Sequence, residues 1–252
     1  MNSAIHEVCA LAASKRVRLL PSAEEEVTNT GIDTWTQALQ AHYNAHGAVV
    51  YSTYQAYLKS TPAKLAAHLA AARQGGFTAG VKLVRGAYLA SEPRERIWET
   101  KERTDEVYDG LVEGVLRRRY GGALQAGSGE GSGAFPEVEV VLATHNAVSV
   151  ERAQALRRRM AEAGEKKIRV GFAQLQGMAD EVSCELMRGG EAQGLGKPEV
   201  YKCTAWGTTR QCLNYLLRRA EENKDAAGRT VETRKAMASE IWRRARGAVG
   251  LP

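Results

Sequence analysis

A chain of 252 residues with 44% apolar content can bury one substantial core, and no run approaches the ~18 consecutive apolar positions of a membrane-spanning helix. Thirty-five Lys and Arg against 29 Asp and Glu leave a formal charge of +6, but much of the excess lies in LRRRY (116–120), LRRRM (156–160) and IWRRARG (241–247), solvated helix ends rather than a nucleic-acid stripe. Cys9, Cys184, Cys203 and Cys212 form no C-x-x-C pair, so neither a zinc site nor a disulfide framework is indicated and a reducing compartment is the default.

In chain order, the opening MNSAIHEVCALAASKRVRLL lacks the long apolar core of a secretory signal and is poor in arginine for an organelle-targeting peptide. Short runs rich in valine, isoleucine and leucine predict strands near 16–20, 48–52, 80–84, 138–142, 168–172 and 199–203. Helical patterns fall between them, near 32–45, 62–74, 94–118, 147–163, 178–188 and 208–222. In TPAKLAAHLAAAR (61–73), Thr61 can cap the first turn, Pro62 suits its first position, and Leu65, Leu69 and Ala72 share a face. His42 and His46 have the i, i+4 spacing of a metal pair, but no glutamate lies between them and no third ligand is evident, so they read as exposed. The glycine- and serine-rich stretch 121–136 has no following Lys-Ser/Thr and starts no helix, which makes it a surface insertion rather than a phosphate loop. A last amphipathic helix runs through TVETRKAMASEIWRRARGAVG and ends at Gly247 or Gly250.

Six strand-then-helix units predict an α/β fold, a single domain built on a parallel sheet with helical crossovers. No G-x-G-x-x-G follows a strand, which favours a closed barrel over an open dinucleotide-binding sheet. In either form, working residues collect at the carboxyl ends of the strands. Gln55 lies there, and so do Lys82, Arg85 and Tyr88 of VKLVRGAY and the polar cluster Ala143, Thr144, His145 and Asn146. Lys82 and Arg85 stand inside an apolar run with opposite parity, and each needs an anionic or electron-rich partner. The late helix of YLLRRAEEN gathers Leu213, Leu216, Leu217 and Ala220 on a dry face, and Gln211, Tyr215, Arg218, Arg219 and Glu222 on the other.

KLVRGAYL (82–89), ATHN (143–146), QLQGMADE (174–181) and YLLRRAEEN (215–223), in this order and spacing, resemble proline dehydrogenase, particularly its eukaryotic single-function form. NTGIDTWTQALQAHYN (29–44) and YSTYQAYLKSTP (51–62) resemble its fungal branch. The resemblance implies a distorted (β/α)8 TIM-type barrel that holds FAD non-covalently at its strand ends. It implies oxidation of L-proline to pyrroline-5-carboxylate, with electrons passed to quinone at the matrix side of the mitochondrial inner membrane. Nucleic acid is not an implied partner; peripheral membrane association is.

On this resemblance Arg218 and Arg219 bind the proline carboxylate, Glu222 holds both guanidinium forks, and Tyr88 packs on the proline ring. Lys82 matches the basic residue near the flavin N5, while Gln55, Arg85, Thr144, His145 and Gln174 match cofactor contacts. Two departures stand out. Ser22 occupies the aspartate position of the family's DAE motif, with Glu24 retained, and Cys203 replaces a tyrosine that lines the substrate pocket. Six units fall short of the eight of a closed barrel, so the barrel is expected to be incomplete at its N-terminal side. The alternative is a truncated, catalytically impaired paralogue that acts as a binding or regulatory protein.

Overall fold

The structure, a computed structural model, describes residues 2–125, 134–192, 198–222 and 229–248. Two helices come first, α1 (Asn2–Lys15) and α2 (Glu26–Tyr43), followed by alternating strands and helices: β1 (Ser52–Gln55), α3 (Thr61–Gly75), β2 (Ala79–Val84), α4 (Lys101–Leu116), β3 (Val138–Ala143) and α5 (Ala147–Glu162). The alternation continues through β4 (Arg169–Leu175), α6 (Asp180–Ala192), β5 (Glu199–Cys203) and α7 (Thr209–Glu222), and α8 (Arg229–Ala248) ends it. The predicted insertion at 121–136 lies partly outside the described residues; its start makes a tight Gly121–Leu124 bridge.

All five strands are parallel and lie in chain order, β1-β2-β3-β4-β5. A sequence of right-handed crossovers that never reverses keeps every helix on one face, which is the winding of a barrel rather than of a two-faced sheet. The outward residues of the strands, among them Val81, Leu83, Val140, Leu142, Val170 and Phe172, meet Leu65, Leu69, Leu111, Val115 and Leu156 in one cluster, each at most 5% exposed. On the inner face the register aligns Thr53, Lys82, Val141, Gly171 and Glu199 in one row.

The predicted first strand at 16–20 proves to be a single parallel bridge, Leu19 to Val50. Its ladder cannot extend, because Pro21 offers no N–H and the buried Asn44 side chain takes the N–H groups of Val49 and Val50 at 2.9 and 3.0 Å. For the same reason the strand predicted at 48–52 begins only at Ser52. The helix predicted over 94–118 breaks after a single 3-10 turn, Arg94–Arg96, and restarts at Lys101, where the Thr100 hydroxyl accepts from the Arg103 N–H. Thr61 does not cap α3; its hydroxyl donates to the Gln55 carbonyl at 2.6 Å and ties the end of β1 to the helix.

The sheet curls. Laid flat, the Leu19 bridge and β5 would be about five strand spacings apart, roughly 24 Å, beyond the combined reach of an arginine and a glutamate. Yet Arg18 Nη1 donates to Glu199 Oε2 at 2.6 Å and to the Tyr201 hydroxyl at 3.0 Å. Glu139 closes the foot of the interior by accepting from the Tyr51 hydroxyl at 2.9 Å and the Ala48 N–H at 3.2 Å.

The expected dry face of α7 is not dry: Leu213, Leu216 and Leu217 are 55%, 52% and 67% exposed. Beyond β5 no further strand stands among the described residues to receive that face. His42 and His46 are exposed, as expected, with the His42 ring 5.6 Å from that of His6.

Candidate functional site at the carboxyl ends of the strands

Above the foot, the inner wall carries Val141, Ala143, Gly171 and Ala173. The space beside Gly171 is taken by the Tyr201 ring, which a Cβ there would meet at 2.9 Å, and Ala173 packs with Tyr51 and Val141, while the outward residues Leu142 and Phe172 are 2% and 0% exposed. Lys82 projects into this interior from β2, opposite in direction to Leu83. Burial pulls its ammonium below the ordinary lysine value, with the Cys203 thiol partly offsetting the effect. Among the described residues this ammonium has no hydrogen-bond or ion-pair partner.

Cys203, at the end of β5, connects the wall to α7: its Sγ lies 3.7 Å from the Tyr215 hydroxyl. The Arg219 guanidinium sits 5.1 Å from the centre of the Tyr215 ring. Arg219 is half-buried and Arg218, one step round the helix, is exposed. The two adjacent arginines therefore occupy different environments, a consequence of the ~100° turn per residue. The Glu222 side chain lies outside the described residues.

Tyr88, in the loop after β2, donates its phenol to Glu24 Oε2 at 2.5 Å. The Glu24 segment is held in turn by Asn29, whose side chain bonds both the N–H and the carbonyl of Glu24 at 2.7 Å, and by the buried Gln55, whose Nε2 donates to the same carbonyl at 2.8 Å. Gln55 thus serves the loop that carries Glu24. Ser22, at the departure from the family pattern, is exposed.

Arg85 turns away from the interior, as its parity predicts. Its Nε donates to Asp105 Oδ1 at 2.6 Å, Nη1 to the Thr144 hydroxyl at 2.6 Å and Nη2 to the Ser149 hydroxyl at 2.8 Å. One face of the guanidinium lies 4.3 Å from the centre of the Tyr108 ring. Burial opposes the charge on Asp105, but hydrogen bonds from Lys101 and Arg85 outweigh it and hold the carboxyl below its ordinary value. Thr144 accepts from Arg85 and from the Asn146 N–H, which leaves its own hydroxyl hydrogen to donate. His145 Nε2 accepts from the Leu175 N–H at 3.0 Å, which places the ring proton of a neutral His145 on Nδ1. Gln174 faces the helices: its amide donates to the Thr144 carbonyl at 3.3 Å and accepts from Ser183 at 2.9 Å, so it supports the 143–146 turn from behind.

The structure therefore brings Lys82, Tyr215 and Arg219 to one rim through Cys203, and joins Arg85 to Thr144, with His145 the next residue along. Sequence reasoning missed Asp105, Ser149 and Tyr108 as partners of Arg85. The signal was available in part: an arginine in an apolar run demands a carboxylate, and Asp105 lies on the helix that follows. The Arg18–Glu199 contact, across 181 positions, left no local signal.

A model of the proline dehydrogenase family matches residues 2–232. Hydroxyproline dehydrogenase of Bos taurus is 34% identical over 250 residues, covering 97% of this chain and 51% of that protein. Proline dehydrogenase 1, mitochondrial, of Homo sapiens is 34% identical over 246 residues, 93% of this chain and 37% of that protein. Probable proline dehydrogenase, mitochondrial, of Schizosaccharomyces pombe is 31% identical over 252 residues, 94% of this chain and 49% of that protein. The chain thus spans about half the length of the first of these relatives. Proline utilization A (PutA) from Bdellovibrio bacteriovorus, in a crystal structure inactivated by N-propargylglycine, shares the fold with a TM-score of 0.66 at 19% identity, over 86% of this chain and 21% of that one. In sequence over nearly its whole length, and in the winding of its sheet, the chain belongs to the proline dehydrogenase family.

Proposed function

We propose that the chain carries the catalytic surface of a flavin-dependent dehydrogenase that oxidises L-proline to pyrroline-5-carboxylate, with FAD as cofactor and a quinone as onward electron acceptor. The family match supports the reaction class, and the mitochondrial names of two relatives support a mitochondrial setting, here assigned to the matrix side of the inner membrane. Among the described residues no helix is long and apolar enough to cross a membrane.

The observation that carries the reading is the half-buried ammonium of Lys82, on the inner face of β2 and without an acceptor of its own among the described residues. A buried cation is costly, and a planar, electron-accepting ring seated above it would turn that cost into binding and catalysis. The residues at the mouth fit such a group. Thr144 offers a hydroxyl hydrogen and Arg85 one N–H on each Nη beyond its three protein bonds, with His145 beside them. Gln55 and Gln174 would act through the loops they brace. Bound FAD supplies the hydride acceptor; everything else falls to the chain. Lys82 stabilises negative charge and Arg219 with Arg218 clamps the substrate carboxylate; Glu222, which the resemblance assigns to the two forks, has its side chain outside the described residues. Tyr88, fixed by Glu24, sets the substrate ring, so that positioning does most of the catalytic work.

The test is to purify the protein with added FAD and assay reduction of a quinone analogue by L-proline and, in parallel, by trans-4-hydroxy-L-proline. Yellow protein and proline-dependent turnover are expected. Preference for the hydroxylated substrate would follow from the room that Cys203 leaves where the family places a tyrosine, and would match the hydroxyproline dehydrogenases among the relatives. Colourless, inactive protein refutes the proposal. It would favour the second reading, a catalytically impaired paralogue that binds or regulates, for which the uncovered apolar side of α7 speaks.

A further inference from the structure

We infer that Asp105, on α4 and outside the mouth, is the positioning residue that sets the flavin-facing donors through Arg85; this rests on the flavin reading above. Arg85 is the junction of the site. It leaves the end of β2 on the outer side of the sheet, toward α4 and α5, just before Gly86, whose φ of +146° and close approach to the Tyr57 ring turn the chain. There its planar group is fixed at three corners, by Asp105, Thr144 and Ser149, and on one face by Tyr108.

The three anchors are not equivalent. Thr144 and Ser149 are hydroxyls that rotate to suit their donor, and each is already committed to the turn that starts α5: Thr144 Oγ1 also accepts from the Asn146 N–H, and the Ser149 N–H donates to Asn146 Oδ1. Asp105 is the only anion within hydrogen-bonding reach of Arg85 among the described residues, and at 2.6 Å its bond is charge-assisted. Its carboxylate therefore fixes the angle of the guanidinium, and the guanidinium decides which lone pair of Thr144 is occupied. That choice aims the hydroxyl hydrogen of Thr144 away from Arg85. With Asp105 truncated, the guanidinium can rotate about its stem, and Thr144 loses the donor that orients it. Lys101 also pairs with Asp105, at 2.5 Å, but its side chain is 71% exposed and it contacts none of the other anchors.

The test compares FAD affinity, by titration of flavin fluorescence, with thermal stability in a set of variants. Asp105→Ala is expected to weaken FAD binding about tenfold or more, and Asp105→Asn, which keeps an oxygen acceptor for Nε, to restore it to within about threefold. Both lose the ion pair, so both lower the melting temperature; a purely structural role would make affinity follow stability in the two variants alike. Thr144→Val should lose as much as the double variant with Asp105→Ala, because both act through one hydroxyl. Lys101→Met should bind FAD within about twofold of wild type. If Asp105→Ala does not fold, Asp105→Glu keeps the charge, displaces the carboxylate by one methylene and should still weaken binding. Wild-type affinity in the Asp105→Ala or Asp105→Glu protein, or additive losses in the double variant, overturns the inference alone. A wild-type protein that takes up no FAD overturns the flavin reading and this inference with it.

Discussion

Replacing Arg18 with methionine keeps most of the apolar stem and removes the cation that spans the foot of the sheet. Three hydrogen bonds go with it: two to Glu199, at 2.6 and 3.3 Å, and one to the Tyr201 hydroxyl at 3.0 Å. The Arg18 side chain is 12% exposed and Glu199 29%, so the contact lies between a surface pair and a buried one. Breaking a buried pair costs about 3–5 kcal/mol because the partner is left unpaired. Here Glu199 keeps Arg169 at 2.6 Å and Tyr201 at 2.7 Å, so the estimate falls to roughly 2–3 kcal/mol. For a domain of this size that corresponds to about 5–10 °C in melting temperature, read by circular dichroism alongside urea unfolding. Arg169→Met is the control; its side chain is 54% exposed and its loss should cost under about 1 kcal/mol. A change below about 0.5 kcal/mol for Arg18→Met would mean that strand twist alone bends the sheet and that the clamp is incidental.

Three further outcomes are expected. Lys82→Met should stabilise the protein by up to about 1 kcal/mol at neutral pH, by removing a half-buried ammonium, while abolishing proline-dependent flavin reduction; a loss of stability would show that Lys82 has a partner. The sign follows from its lowered pKa: the folded state sheds this proton before the unfolded one does, so the wild type should gain stability as pH rises toward the ordinary value of 10.5, and the variant should not. Gly86→Ala would place a Cβ 2.0 Å from Tyr57 Cδ1 at a φ of +146°, which should cost about 3 kcal/mol or more in urea unfolding, against about 1 kcal/mol for Gly76→Ala, at φ +66° with nothing nearby. Arg219→Met should raise the proline KM well beyond the effect of the exposed Arg218→Met and leave FAD affinity unchanged; equal losses of substrate and flavin would assign the half-buried arginine to the fold.

The alternation of strands and helices was legible because a buried parallel strand has to be a short apolar run, which β2, β3 and β4 carry in VKLV, VVLA and VGFA. Parity alone separated Lys82 from Arg85. What failed to show was whatever a side chain does to the backbone at a distance. Asn44, read as part of a helix end, proves to be the residue that takes the N–H groups of Val49 and Val50 and so shortens the first ladder. Thr61 carried a capping signature and uses its hydroxyl on the Gln55 carbonyl instead. The amphipathic pattern of α7 gave its apolar side correctly as a stripe, but periodicity reports which residues share a face and says nothing of whether another element covers it.

The inner face of the sheet explains why Lys82 has no partner while carboxylates stand nearby. Glu139 and Glu199 both point inward, and Glu199 shares the row of Lys82. Both are engaged from below: Glu199 by Arg18 and Arg169, and Glu139 by the Tyr51 hydroxyl and the Ala48 N–H, with the same two arginines 4.0 and 3.9 Å away. Two guanidinium groups therefore match two carboxylates at the foot, and Arg85 is matched by Asp105 on the helix side. Among the described residues, the charge of Lys82 is what remains on the inner face. A fold selected for stability alone would place an apolar side chain there, since a well-packed leucine or methionine at that position avoids the desolvation cost. Retaining the ammonium makes physical sense if an electron-accepting or anionic ligand completes the interior, which is why the stability and the activity of Lys82→Met should move in opposite directions.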